Sequence, residues 1–147
     1  MDNKINPNIY TSYIFFINVL VGLIVGHYTY ALIFLILVIT SIIHHSMLTD
    51  ITENIDKSVV YLVVIYGGYI FYNNVRFTTC YEIIMTLVIV ISFVLTGVFY
   101  SYGKCNNCLC WDPDLEVGRG YHSVIHCMSS VAHILIMLLW RRFMGFY

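Results

Sequence analysis

From Ile9 to Met47 the chain runs without a single Asp, Glu, Lys or Arg. One crossing of a bilayer takes about 20 residues, so this run is too long for one helix and predicts two short spans, at about 9–25 and 29–47. They meet near Gly26-His27-Tyr28-Thr29, where glycine and polar residues interrupt the run. Three further apolar stretches predict spans at about 56–72, 79–102 and 120–143. The runs are long and continuous and lack the two-residue alternation of a strand, so each reads as a helix. Gly67-Gly68 in the third is a candidate for close helix packing.

Composition changes the solvent but not the pattern. Hydrophobic residues make up 60% of 147 and charged residues 10%, and mean hydropathy is +0.82. These values predict an all-α integral membrane bundle of five helices in one domain, residues 1–147. A net charge of −1 offers no basic stripe, so no nucleic acid is expected as a partner. The N-terminal MDNKINPN lacks a charged n-region, and the first apolar stretch continues into the second, so no cleaved signal peptide is expected. Only two alanines occur, Ala31 and Ala132.

Against this apolar background five polar residues stand out: Ser41, His45, Asp56, His122 and His126. Ionisable groups inside a membrane are costly and mark functional sites. Tracing the chain across the bilayer, the second span exits past His45, the third enters at Asp56, the fourth exits before Gly103 and the fifth re-enters at His122. All five residues therefore fall at one face. Lys4, Lys57, Lys104 and Arg119 lie on that side, and Arg76, Arg141 and Arg142 opposite. The basic count is nearly balanced and does not orient the chain, but the Trp140-Arg141-Arg142 end reads as a cytoplasmic anchor, which puts the site on the lumenal or extracellular side.

Residues four apart on a helix are neighbours, with Cβ atoms about 5–6 Å apart. His122 and His126 can thus grip one metal ion, with His45 as third nitrogen. Three protein ligands and an open fourth position for water are the arrangement of a catalytic zinc, which lowers the pKa of that water to about 7. Asp56, read as the start of its helix, is placed to accept the water's proton, and Ser41, one turn from His45, to orient it or polarise a carbonyl. Each residue alone has a plainer reading. A lone membrane histidine packs, Asp56 complements a helix dipole, and Ser41 bonds back to its own helix. His44 lies about 100° round the helix from His45. His133, about 10 Å deeper than His126 at 1.5 Å per residue, reads as packing or pocket lining. The loop GKCNNCLCWDPDLEVG carries Cys105, Cys108 and Cys110, which with Cys127 brace the loop, form disulfides or bind a second metal. Asp112-Pro113-Asp114 reads as a turn, and Glu82 as an interfacial residue.

The segment SIIHHSMLTDITENID resembles the signature of the CREST superfamily, which joins alkaline ceramidases, progestin/adiponectin receptors and the Per-like lipases that remodel GPI anchors. The pattern of serine, three residues, histidine, downstream aspartate and a late H-x-x-x-H falls here on Ser41, His45, Asp56, His122 and His126. The gap from His45 to Asp56 is most similar to the ceramidase and Per-like branches, and T-D-I-T-E-N-I-D, with its Thr49, Asp50, Thr52 and Glu53, is similar to the Per-like pattern. H-S-V-I-H-C-M-S-S is similar to their final helix. Lys57 departs from the pattern, which has an aromatic residue there. The resemblance implies a seven-span fold, of which this chain would be a reduced version, with zinc as cofactor and a membrane lipid as substrate.

Three function classes follow. The first is a zinc-dependent intramembrane lipid hydrolase cleaving an acyl amide or ester bond. The second is a non-catalytic, zinc-braced receptor-like or interaction protein. The third is a haem protein ligated by His45 with His122 or His126. Loss of two spans leaves room for a homo-oligomer that closes the lipid chamber. Either the ER or Golgi or a host-cell membrane suits such a multi-pass chain.

Overall fold

A computed structural model describes residues 6–143, with side chains to residue 140. Lys4 and the side chains of Arg141 and Arg142 lie outside the described residues. The chain is an all-α bundle with five helices long and apolar enough to cross a membrane, the basis for a multi-pass membrane protein.

Local signals set each helix end. Asn6 accepts a hydrogen bond from the Asn8 amide, and Pro7 follows in the first turn, so α1 (Pro7–Ser12) starts on a cap and a ring already fixed at helical φ. It passes through a tightened turn at Tyr13 and Ile14 into α2 (Phe15–Ile24), the two forming the first span. Gly26 at φ 78° reverses the chain, a conformation open to glycine without strain. α3 (Tyr28–Met47) then returns and ends on Leu48 in the left-handed region. One residue later, Thr49 caps α4 (Asp50–Asn74) in a reciprocal pairing with Thr52. α5 (Cys80–Gly97) opens on the same device, Thr79 with Glu82, so Glu82 serves as a capping residue. A π-helical stretch (Val98–Tyr102) and the short α6 (Gly103–Asn106) extend it. A loop with one 3₁₀ turn (Leu109–Trp111) leads to α7 (Leu115–Phe143).

The third span differs most from expectation. It begins at Asp50 rather than near residue 56, because the Thr49–Thr52 cap starts the helix as soon as α3 has ended. Asp56 is consequently inside the helix, not at its first turn. The fifth also starts earlier, at Leu115. There the Asp112 carboxylate accepts from the Asp114 amide and the Asp114 carboxylate from the Glu116 amide, the expected turn serving as the helix entry.

The α1–α2 span packs against α3 and α7, α3 against α4, and α4 against α7, which closes a ring of four with α3 and α7 on its diagonal. α5 lies outside the ring, against α7. Phe34, Leu37, Val38, Val63, Ile136 and Met137 fill the centre. Ile51, Ile65 and Ile84 are 73%, 71% and 60% exposed, surface that a soluble protein would hide and that lipid tails cover. Small residues set the close approaches. A Cβ on Gly22 would lie 3.0 Å from that of Ala31, so one of only two alanines faces a glycine where α2 meets α3. A Cβ on Gly67 would lie 2.5 Å from the Tyr30 hydroxyl and 2.7 Å from the His133 ring, whereas one on Gly68 meets nothing within 4 Å.

The two adjacent glycines give a controlled test. Gly67→Ala should destabilise the bundle by about 1–3 kcal/mol through overpacking. Gly68→Ala should be neutral or stabilising by up to about 1 kcal/mol, since alanine is the better helix former. Thermal unfolding of both variants in one detergent checks the pair, and equal effects would contradict the α3–α4–α7 packing.

Candidate metal centre

His45 ends α3, and His122 and His126 sit one above the other on α7, so three nitrogens meet across the diagonal of the ring. One ligand atom from each lies within 4.8 Å of the others, and among the described residues this is the group of three or more metal-capable side chains that converges so. The His45 ring centroid is 5.0 Å from that of His122 and 5.4 Å from that of His126. His45 and His126 are buried and His122 is half-buried, so the group opens to one side only.

Donor chemistry tests the fit to a metal. His45 Nε2 is buried without a hydrogen-bond partner, a costly state that a cation would relieve. Thr11 Oγ1 lies 3.0 Å from His126 Nδ1 and donates its own proton to the Asn8 carbonyl. Thr11 Oγ1 thus holds the His126 ring at Nδ1, and Nε2 is the ring nitrogen without that partner. Metal-bound histidines are held by such partners. Asn8 accepts from Ser123 Oγ at 2.9 Å, and Asn6 donates to the His45 carbonyl, so α1 is tied to both helices that carry the ligands.

The other expected residues stand outside the converging group, each with its own partner. Ser41 is buried with its Oγ 2.9 Å from Ser12 Oγ, which makes it a tie between α1 and α3 rather than a group aimed at water. Asp56 is half-buried and accepts from Thr40 Oγ1 at 3.0 Å. His44 stands beside His45 outside the converging group, as its position on the helix predicts. His133 is fully buried, deeper in the bundle, with Nδ1 2.5 Å from the Tyr30 hydroxyl, in line with a packing role. All five cysteines are free, so the loop carries no disulfide. Burial pushes the Cys110 thiol up to about 11, which keeps it protonated at neutral pH.

Sequence reasoning expected the first span but missed the polar face of its α1 part. Asn8, Thr11 and Ser12 share one face at helical spacing, a signal visible in PNIYTS, but that segment borders an apolar run and its partners lie far along the chain. Asn18 with Ser130, joined by two hydrogen bonds in the bundle interior, escaped for the same reason. Compared with known proteins, the chain matches no family model, no curated protein and no solved structure.

Replacing His45, His122 or His126 by alanine should abolish stoichiometric metal, whereas His44→Ala and His133→Ala should retain it. Elemental analysis of the five purified variants is the measurement, and metal kept in His122→Ala would show that the register is wrong. Thr11→Val, which keeps the shape and removes the acceptor, should weaken metal affinity roughly 10–100-fold without unfolding the chain. A competition titration with a chelator checks it.

Proposed function

We propose that this chain is a zinc-dependent intramembrane hydrolase that cleaves an acyl amide or ester bond of a membrane lipid. The observation that carries the reading is the convergence of His45, His122 and His126 at one end of a bilayer-sized bundle, with the open side at His122. Three imidazole nitrogens with room for a fourth ligand suit zinc in its catalytic form, and zinc so held supplies Lewis acidity towards a carbonyl and towards water. Thr11 holds the His126 ring through Nδ1. In this reading Asp56, its carboxylate steadied by Thr40, takes the proton of the attacking water. Ser41 and Ser12 hold α1 in register so that Thr11 reaches His126. The resemblance of Ser41, His45, Asp56, His122 and His126 to the ceramidase and Per-like pattern supports the same class.

One observation favours a second reading. His45 and His126 are 5% and 6% exposed, as in a closed brace between helices, and a non-catalytic, zinc-braced receptor-like or interaction protein would need no more.

A pair of variants separates the two. Asp56→Asn should retain zinc and thermal stability yet lower acyl hydrolysis by about 10²–10⁴-fold, the usual loss on removing a general base. His45→Ala should lose zinc and activity together. Lipidomics of cells expressing each chain, beside zinc analysis of the purified proteins, is the measurement. No change in any acyl lipid between wild type and Asp56→Asn overturns the enzyme.

A further inference from the structure

A cleft of about 100 Å³ opens beside the metal centre and shares His122 with it. Asn8 of α1, Cys110 and Asp112 of the loop, and Gly118 and Arg119 of α7 form its walls. The loop lies tight against α7, since a Cβ on Gly118 would sit 3.3 Å from the Cys110 carbonyl, so this wall is built in. With Cys110 a neutral thiol, the charges in the cleft are the cation of Arg119 and the carboxylate of Asp112.

Neither is matched by an opposite charge among the described residues. Arg119 is half-buried and makes no ion pair or hydrogen bond with another described residue. Asp112 uses one oxygen to cap the Asp114 amide at 2.9 Å, leaving the other. The remaining described cations of this face are engaged elsewhere, Lys57 with Glu53 and Lys104 over the Trp111 ring. Two unmatched opposite charges in one cleft call for a ligand with both signs. A guanidinium is a planar fork that grips phosphate through two hydrogen bonds, and a carboxylate accepts from an ammonium.

Depth adds the class. Arg119 precedes His122 by three residues, about 4.5 Å of helix rise, which puts the guanidinium on the water side of the histidines. A glycerophospholipid has the same order, with the phosphate towards water and the acyl ester just beneath. Ceramide carries neither charge and would leave both side chains unmatched.

We propose that this cleft holds the headgroup of a zwitterionic glycerophospholipid, with phosphate on Arg119 and amine on Asp112, so that the acyl ester falls at the histidine centre. The placement of the ester rests on the hydrolase reading; the headgroup site does not. Arg119 and Asp112 are specificity residues for the lipid class.

Native mass spectrometry of the zinc-loaded full chain in detergent tests the site, with phosphatidylethanolamine, phosphatidylglycerol, ceramide and water-soluble glycerophosphoethanolamine as probes. Wild type should retain phosphatidylethanolamine best, phosphatidylglycerol less, and ceramide and the soluble headgroup least. Arg119→Gln should lower retention of both phospholipids at least tenfold, with partial recovery in Arg119→Lys. Asp112→Asn, which keeps the capping oxygen, should bring phosphatidylethanolamine down to the level of phosphatidylglycerol. Unchanged phosphatidylethanolamine binding in Arg119→Gln, ceramide bound as tightly as phosphatidylethanolamine, or strong binding of the soluble headgroup alone each overturns the proposal. Hydrolysis of the same lipids is scored separately. Headgroup-selective binding without hydrolysis of any lipid supports the site and sinks the enzyme, whereas hydrolysis of ceramide without phospholipid binding sinks the site alone.

Discussion

Inside a bilayer no water is at hand for a buried polar group, and apolar side chains gain little from meeting each other rather than lipid. The bundle therefore depends on hydrogen bonds between helices. They form a seam along its interior: Asn8 to Ser123, Thr11 to His126, Ser12 to Ser41, Asn18 to Ser130 and Tyr30 to His133. Each joins α1, α2 or α3 to a partner on α3 or α7. Such bonds are individually modest, about 0.6 kcal/mol on average in membrane proteins, but breaking one strands its partner in a medium that offers no substitute.

The same seam frames the candidate metal site. α3 and α7 face each other across the diagonal of the ring, with side chains rather than backbones in contact, and the space between them is what three imidazoles fill. α1 is the helix that squares the two. Its Asn6 reaches α3, its Asn8 and Thr11 reach α7, and Thr11 holds the His126 ring at Nδ1. Structure and site thus share their polar groups, and a variant in the seam has to be judged on folding and on metal content together.

Much of this was legible in the chain. Long apolar runs pointed to five helices, because the thickness of the bilayer fixes the length each needs. The trio was legible because the i, i+4 spacing of His122 and His126 is a property of any helix, and crossing parity brings His45 to the same face. The start of α4 was misplaced because a threonine cap is a short polar signal that hydropathy overlooks, although Thr49-Asp50-Ile51-Thr52 carried it. The partners of Thr11 and Asn18 were not legible at all. A hydrogen bond between residues more than a hundred positions apart leaves no periodic trace in either segment.

That separation has a consequence for how the chain is made. Thr11 and His126 lie 115 residues apart, and Asn18 and Ser130 lie 112 apart. During synthesis the first span enters the membrane with Asn8, Thr11 and Asn18 unmatched, and it stays so until Ser123, His126 and Ser130 have left the ribosome. α7 brings the missing partners. Until it inserts, the earlier spans need the insertion machinery, or one another, to shelter that polar edge, so assembly of this bundle waits on α7.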